Sequence, residues 1–159
     1  MLFPRTIRMD ASDAHVFEQA AESGEWAITG TFVFAGDAPD QLSGKRRQAF
    51  RNGFLGTTSF GWSTLAAVAP ISEAEYAAMI ARLADHFLEH YGAPDRDAAL
   101  AAAHEEAGFA ASLCDHPVNT VITIERDFTE EGIVENFRTV ETGGDAPAQA
   151  WKVDDGTPD

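Results

Sequence analysis

The sequence has 159 residues, of which 45% are hydrophobic, and it carries a formal net charge of −15. This length and composition predict one domain with its own core, and the acidic charge disfavours binding to nucleic acid or anionic membranes. The single cysteine, Cys114, excludes an intrachain disulfide and suits a reducing compartment. The N-terminus lacks a signal-peptide pattern, and no apolar stretch could span a bilayer, so we expect a cytoplasmic protein.

The N-terminal third is predicted to form strands. Residues 6–9 and, more weakly, 15–18 are short candidates. Trp26, Ile28, Phe32 and Phe34 then alternate with smaller residues, which predicts a half-buried strand over 26–34. Gly30 lies in the apolar register of that strand and marks a bulge or a close contact.

A short helix and another strand are expected next. The helix is predicted over 43–54, with Ser43 as a possible cap. Gly53, Gly56 and Gly61 then interrupt the chain before a strand predicted over 62–69.

The middle of the chain predicts two long helices. Ser72 and Glu75 form a capping box, and apolar residues follow at helical spacing as far as Phe87. Gly92 and Pro94 end that helix. Asp95 is suited to cap a second, alanine-rich helix that extends to about residue 115. Because the connection is short, the two helices are expected to pack as an antiparallel hairpin.

The C-terminal part predicts a β-hairpin followed by a tail. His116-Pro117 ends the second helix, and the strands are predicted over 120–126 and 133–140. The tail, 141–159, is acidic, contains Gly and Pro, and is expected to be mobile. The fold class is therefore α+β, with a largely antiparallel sheet covered on one face by the helical hairpin plus one short helix. Residues 1–140 form the single domain.

Two histidines invite a metal-binding interpretation. His86 and His90 lie four residues apart on the first long helix, and His104 lies on the second. Helical geometry nevertheless directs His90 toward the apolar stripe and His104 toward solvent. A capping or packing role near the helix end is therefore favoured over a metal site, and no cofactor is expected.

Glu106 is a candidate acid or base because it falls on an otherwise apolar helix face with Ala102 and Phe109. Desolvation would raise the pKa of a carboxyl group there, which suits proton transfer. The favoured alternative is an ion pair with Arg82 at the matching height of the hairpin.

Cys114 is a weak candidate nucleophile. It precedes Asp115 and His116, but it falls in the last turn of its helix. The negative helix end and the Asp115 carboxylate both disfavour a thiolate. We therefore expect a packed thiol.

Four of the eleven basic residues cluster within seven positions: Lys45, Arg46, Arg47 and Arg51. Positive charge near the start of a helix is locally unfavourable, which points to another benefit. The cluster is suited to bind an anionic ligand or an acidic segment of a partner, and the alternative is a solvated surface.

The sequence contains no GxGxxG, Walker, CxxC, HExxH or GxSxG motif, which disfavours the commonest nucleotide-dependent and zinc-hydrolase mechanisms. Four segments, LFPRTIR at 2–8, FRNGF at 50–54, SFGWST at 59–64 and FAASLCDHP at 109–117, resemble a small bacterial family known only as a domain of unknown function. That resemblance implies no activity, cofactor or site.

Three functional hypotheses follow. The leading one is a non-enzymatic accessory domain that binds a protein partner or itself, through the basic cluster and an aromatic-rich sheet that includes Trp26, Phe32, Phe34, Phe60 and Trp62. The second is a small enzyme or ligand-binding protein with a pocket between helices and sheet, using Glu106. The third is a metal-binding protein that uses His86 and His90.

Overall fold

The computed structural model describes residues 1–8, 17–142 and 151–154. Two short 3-10 helices occur at Thr31–Phe34 and Pro39–Gln41. The strands and α-helices of the described residues are, in chain order, β1 (Leu2–Ile7), β2 (Ala27–Ile28), α1 (Gly44–Asn52), β3 (Phe54–Gly56), β4 (Trp62–Ser63), β5 (Leu65–Pro70), α2 (Glu73–His90), α3 (Arg96–Ser112), β6 (Val121–Thr129), β7 (Gly132–Thr142) and β8 (Trp151–Asp154).

The strands form two antiparallel sheets, which confirms the α+β class. The larger sheet has the order β1-β5-β6-β7-β8, and the smaller has the order β2-β3-β4. The predicted hairpin is present, and its strands are longer than expected because pairing continues to Thr129 and Gly132 at the turn. Within the described ranges, no helix has the length and apolar composition needed to cross a membrane.

The helical hairpin forms as its capping residues predict. The Ser72 hydroxyl accepts the Glu75 N–H at 3.0 Å, and the Glu75 carboxylate accepts the Ser72 N–H at 2.9 Å. Asp95 caps α3 by accepting the Ala98 N–H at 2.8 Å. Four alanines of α3 are fully buried beside the large apolar side chains of α2, so the two helices approach closely: Ala99, Ala103, Ala107 and Ala110.

The predicted strand over 26–34 is wrong. Within this range only β2 pairs with another strand of a sheet, namely β3. Gly30 then adopts φ 79°, and the chain turns into the 3-10 helix at Thr31–Phe34. A Cβ on Gly30 would lie 2.6 Å from the Leu55 Cβ, so no larger residue fits. Phe32 and Phe34 consequently contact different clusters. Phe32 packs on Phe87 of α2, whereas Phe34 packs on Phe50 of α1.

Several boundaries also differ from those predicted. The strand expected over 62–69 is divided at Thr64 between β4 and β5, which belong to different sheets. The first strand begins at Leu2, α3 ends at Ser112, and Ser43 makes no side-chain capping bond to α1. The strand candidate at 15–18 lies partly outside the described residues. In the tail, β8 pairs with β7, and 143–150 and 155–159 lie outside the description.

Candidate functional site

Helix α1 lies against β6 and turns its basic side chains outward. The Phe50 ring stacks on Phe128 of β6 with ring centroids 4.4 Å apart and planes within 10°. Phe50 is buried, whereas Arg47 and Arg51, one helical turn apart, are exposed. Packing of the aromatic face therefore directs these two guanidinium groups to the surface.

Arg47 and Arg51 border a pocket of about 210 Å³, here named the α1 pocket. Its lining residues are Pro39, Leu42, Arg47, Phe50, Arg51, Asp127 and Phe128. The Asp127 carboxylate accepts the Phe128 N–H at 2.9 Å. Among the described residues, no carboxylate forms an ion pair with either arginine. The pocket thus combines two stacked aromatic rings, one carboxylate and two guanidinium groups that form no ion pair with a described carboxylate.

The other two residues of the predicted basic cluster face elsewhere. Arg46 forms a 2.5 Å ion pair with Asp37, and its guanidinium lies 5.1 Å from the centroid of the Phe34 ring. Lys45 and Arg46 line a separate cavity of about 140 Å³ that also includes Trp62. The sequence cluster is therefore divided into two surfaces, and only Arg47 and Arg51 share the α1 pocket.

A buried arginine that the sequence analysis missed holds α1 in place. Arg126 of β6 is 0% exposed. Its guanidinium donates to the carbonyls of Ala49 at 3.2 Å and Phe50 at 2.8 Å, near the end of α1, and to the Thr29 carbonyl. The Ala49 carbonyl also accepts the Gly53 N–H at 2.9 Å, whereas helix-terminal carbonyls such as that of Phe50 generally lack a partner within the helix. Arg126 therefore satisfies backbone groups that would otherwise be costly to bury.

Arg126 also has a carboxylate opposite it in the sheet. Glu135 of β7 is its register partner, with an oxygen 3.8 Å from the Arg126 Nε. Nε donates to the Thr31 hydroxyl at 2.6 Å, and that hydroxyl donates in turn to Glu135. Burial lowers the pKa of Arg126 to about 10, which leaves it a cation at neutral pH. The signal in the sequence was a charged residue in the inward register of Ile122 and Ile124.

A second buried charge fixes the turn at 57–60. Glu25 is 6% exposed, and each of its two carboxylate oxygens accepts two hydrogen bonds. Oε1 accepts the N–H groups of Thr58 at 3.0 Å and Ser59 at 2.8 Å. Oε2 accepts the Glu22 N–H and the Ser59 hydroxyl, both at 2.7 Å. No pattern in the sequence distinguished Glu25 from the nearby acidic residue Glu22.

The histidines do not gather at one point. His86 stacks on Phe60 with ring centroids 3.6 Å apart, and His90 lies 4.9 Å from His86 beside Glu89. Burial lowers the pKa of His86, and the charge of His90 adds to that effect. His104 lies on α3, next to Tyr76. In the described part of the chain, no three potential ligand side chains are placed to hold a metal ion.

The expected ion pair between Glu106 and Arg82 is not among the ion pairs of the described residues. The Glu106 side chain is half-buried on α3. Burial raises the pKa of Glu106, and the neighbouring carboxylates of Glu105 and Glu135 raise it further. Folding therefore makes the Glu106 carboxyl group harder to ionise than it is in the unfolded chain.

Replacing Glu106 with Gln is expected to stabilise the protein at neutral pH. A folded-state pKa above the unfolded value of about 4.3 means that ionisation costs folding free energy as the pH rises through the folded pKa. The gain, roughly 0.5 kcal/mol, should disappear below about pH 4, where both states are protonated. Urea unfolding at the two pH values measures it, with Glu130→Gln, in the exposed turn between β6 and β7, as the control. Destabilisation at neutral pH would instead reveal a favourable partner for the carboxylate.

Cys114 is packed as expected. The side chain is 3% exposed, and its Sγ lies 3.8 Å from the Ala110 carbonyl oxygen. Burial raises the pKa of the thiol to about 12. Since the thiolate is the reactive form, Cys114 lacks the electrostatics of a nucleophile at neutral pH.

A family model described as a family of unknown function (DUF6505) matches residues 1–153. This match covers all four segments on which the resemblance to a family of unknown function was based. No curated protein and no solved structure matches the chain.

Proposed function

This chain belongs to the DUF6505 family of unknown function, and we propose that it is a non-enzymatic protein-binding domain. Its α1 pocket would hold an acidic segment of a partner protein. The observation that supports this proposal is the pair of exposed arginines, Arg47 and Arg51, beside the stacked rings of Phe50 and Phe128. In a chain of net charge −15, two such cations without a described carboxylate partner favour a negatively charged ligand.

The chemistry of the pocket suits a peptide. Planar guanidinium groups bind carboxylates through paired hydrogen bonds, and the apolar floor suits an aliphatic or aromatic side chain. The pocket volume, about 210 Å³, is below the roughly 300–1,000 Å³ typical of small-molecule sites. One or two side chains of an acidic segment would fill it.

The overall negative charge of the chain does not oppose this contact strongly. At physiological ionic strength, charges beyond about 8 Å are largely screened. Distant carboxylates would therefore slow the approach of an acidic partner, whereas Arg47 and Arg51 would contact it directly.

The test is a charge reversal at the pocket. A fluorescein-labelled, glutamate-rich peptide carrying one phenylalanine is titrated and followed by fluorescence anisotropy. Two lost charge-assisted bonds predict that Arg47→Glu with Arg51→Glu weakens binding by about 100-fold or more. The matched control is Arg96→Glu with Arg138→Glu, which changes the net charge equally at two exposed sites away from the pocket. Equal loss in both double variants, or no binding to the wild type, would refute the proposal.

A small enzyme that uses Glu106 as an acid or base is the second candidate. It is supported by the burial and the neighbouring carboxylates that raise the pKa of Glu106. It is weakened because Glu106 lines neither the α1 pocket nor the separate cavity at Lys45 and Arg46. Metal binding through His86 and His90 is the third, and the engaged ring of His86 gives it little support.

The setting that we propose is the bacterial cytoplasm. A lone, buried cysteine suits a reducing compartment, and the sequence segments resemble a bacterial family. The charge of −15 supports protein partners, or a second copy of the chain, over nucleic acid.

A further inference from the structure

A groove lies between α2 and Phe60 of the turn at 57–60. We name it the α2 groove. It has a volume of about 540 Å³ and is lined by Phe60, Ala78, Ala81, Arg82, Asp85, His86 and Glu89. A further cavity of about 230 Å³ also includes Arg82, and it extends the groove to Trp26, Thr57 and Thr58. Arg82 therefore lies where the two cavities adjoin, with an aromatic side chain at either end.

The carboxylates and the cation of the groove differ in whether they have partners within the protein. Three carboxylates line the groove and the further cavity. Glu75 accepts the Ser72 N–H and Asp85 pairs with Arg96, whereas Glu89 lies 3.7 Å from the Nε2 of His90. The exposed Arg82 has no hydrogen bond or ion pair to any residue in the described ranges. One cation thus remains available for a ligand.

The aromatic wall of the groove is built rigidly. Phe60 adopts φ 55°, a backbone conformation that side-chain-bearing residues rarely adopt. The buried Glu25 holds the two preceding residues through their N–H groups. The Phe60 ring stacks on His86 with planes within 3°. Strain of this kind persists only where the surroundings enforce it, and it is concentrated at binding sites.

We propose that the α2 groove is a binding site for an aromatic monocarboxylate. Arg82 pairs with the carboxylate, and the ring of the ligand lies against Phe60 and His86. A guanidinium matches the geometry of a carboxylate, and the aromatic wall favours a planar apolar group. A single available cation beside three carboxylates matches one negative charge, and it disfavours a dianion such as a phosphate monoester. This site is separate from the α1 pocket and does not depend on the function proposed above.

The proposal is tested with three ligands that carry the same naphthyl group and differ in charge: the monoanionic 1-naphthoate, the neutral 1-naphthamide and the dianionic 1-naphthyl phosphate. Backbone amide NMR shifts report both affinity and position. We expect 1-naphthoate to bind in the millimolar range or tighter, with shifts at Thr58, Ser59, Phe60 and Arg82. The amide and the phosphate should both bind at least about tenfold more weakly. The amide has no charge to pair with Arg82, and the phosphate carries a second negative charge that has no cation in the groove.

Two variants complete the test. Arg82→Gln removes the cation from an exposed position and should weaken 1-naphthoate at least about tenfold, whereas Arg138→Gln, also exposed, should leave it unchanged. Phe60→Gly removes the ring at a φ that glycine adopts readily, so the fold should persist while affinity falls. Unchanged binding to Arg82→Gln, tighter binding of the phosphate, shifts confined to the α1 pocket, or no saturable binding would each overturn the proposal.

Discussion

Replacing Arg126 with Met is expected to destabilise the protein by about 3–5 kcal/mol, the range seen when one partner of a buried ion pair is removed. The side chain is fully buried and donates to three carbonyl groups and one hydroxyl. Methionine fills much of the volume but can donate to none of them. It also leaves the Glu135 carboxylate without its cation.

The effect should be visible as a lower urea midpoint with a similar slope. Because domains of this kind are stable by only about 5–15 kcal/mol, the variant should retain only a small part of the stability of the wild type. Arg138→Met on the neighbouring strand is the control, since Arg138 is exposed and should tolerate the change within about 0.5 kcal/mol. A loss of less than about 1 kcal/mol in Arg126→Met would show that the guanidinium is not held as described.

Replacing Glu25 with Gln is expected to cost roughly 2–4 kcal/mol despite the equal size of the side chains. Each carboxylate oxygen accepts two hydrogen bonds, so an amide nitrogen in either orientation faces donors. If it replaces Oε1, the N–H groups of Thr58 and Ser59 lose their acceptor. If the amide nitrogen replaces Oε2, the Glu22 N–H loses its acceptor.

Unfolding in urea measures the loss, and hydrogen exchange at Thr58 and Ser59 locates it. We expect these amides to lose protection while amides in β6 and β7 keep theirs until global unfolding. Glu22→Gln serves as the control, because that side chain is exposed three residues earlier. A Glu25→Gln variant as stable as the control would mean that the carboxylate does not organise the turn.

The helices could be predicted from the sequence because their signals are local. Ser72 with Glu75, and Asp95 at the start of α3, make capping bonds within three residues of themselves. The β6–β7 hairpin was likewise predictable from two strands around a short polar turn. In each case the stabilising partner lies close along the chain.

The prediction over 26–34 failed because alternation alone does not fix which surface each residue contacts. Phe32 and Phe34 were expected on one strand face, yet they pack on α2 and α1 respectively. The turn at Gly30 that separates them depends on Leu55, which is 25 residues away. Such a contact leaves no trace in local periodicity.

The candidate sites were predictable in part. The basic cluster was identified, but its division between two surfaces depends on the packing of Phe50 onto β6. Arg126 could have been found from its inward register in β6. Glu25 and the turn that it fixes could not, because three of its four hydrogen bonds come from Thr58 and Ser59, more than thirty residues away.

Two buried charges thus connect the fold to its proposed binding surfaces. Arg126 fixes α1, which carries the α1 pocket, and Glu25 fixes the turn that carries Phe60. In both cases the buried group bonds to backbone atoms of the element that it positions. Binding measurements on folded variants therefore need to leave Arg126 and Glu25 unchanged.

The most direct test of the protein-binding proposal is to map the glutamate-rich peptide on the isotopically labelled protein by amide NMR. The proposal predicts saturable shifts along α1 and at Asp127 and Phe128, which disappear in the Arg47→Glu, Arg51→Glu variant and persist in the Arg96→Glu, Arg138→Glu control. Shifts spread evenly over the surface, or shifts that survive reversal of the two pocket arginines, would contradict it.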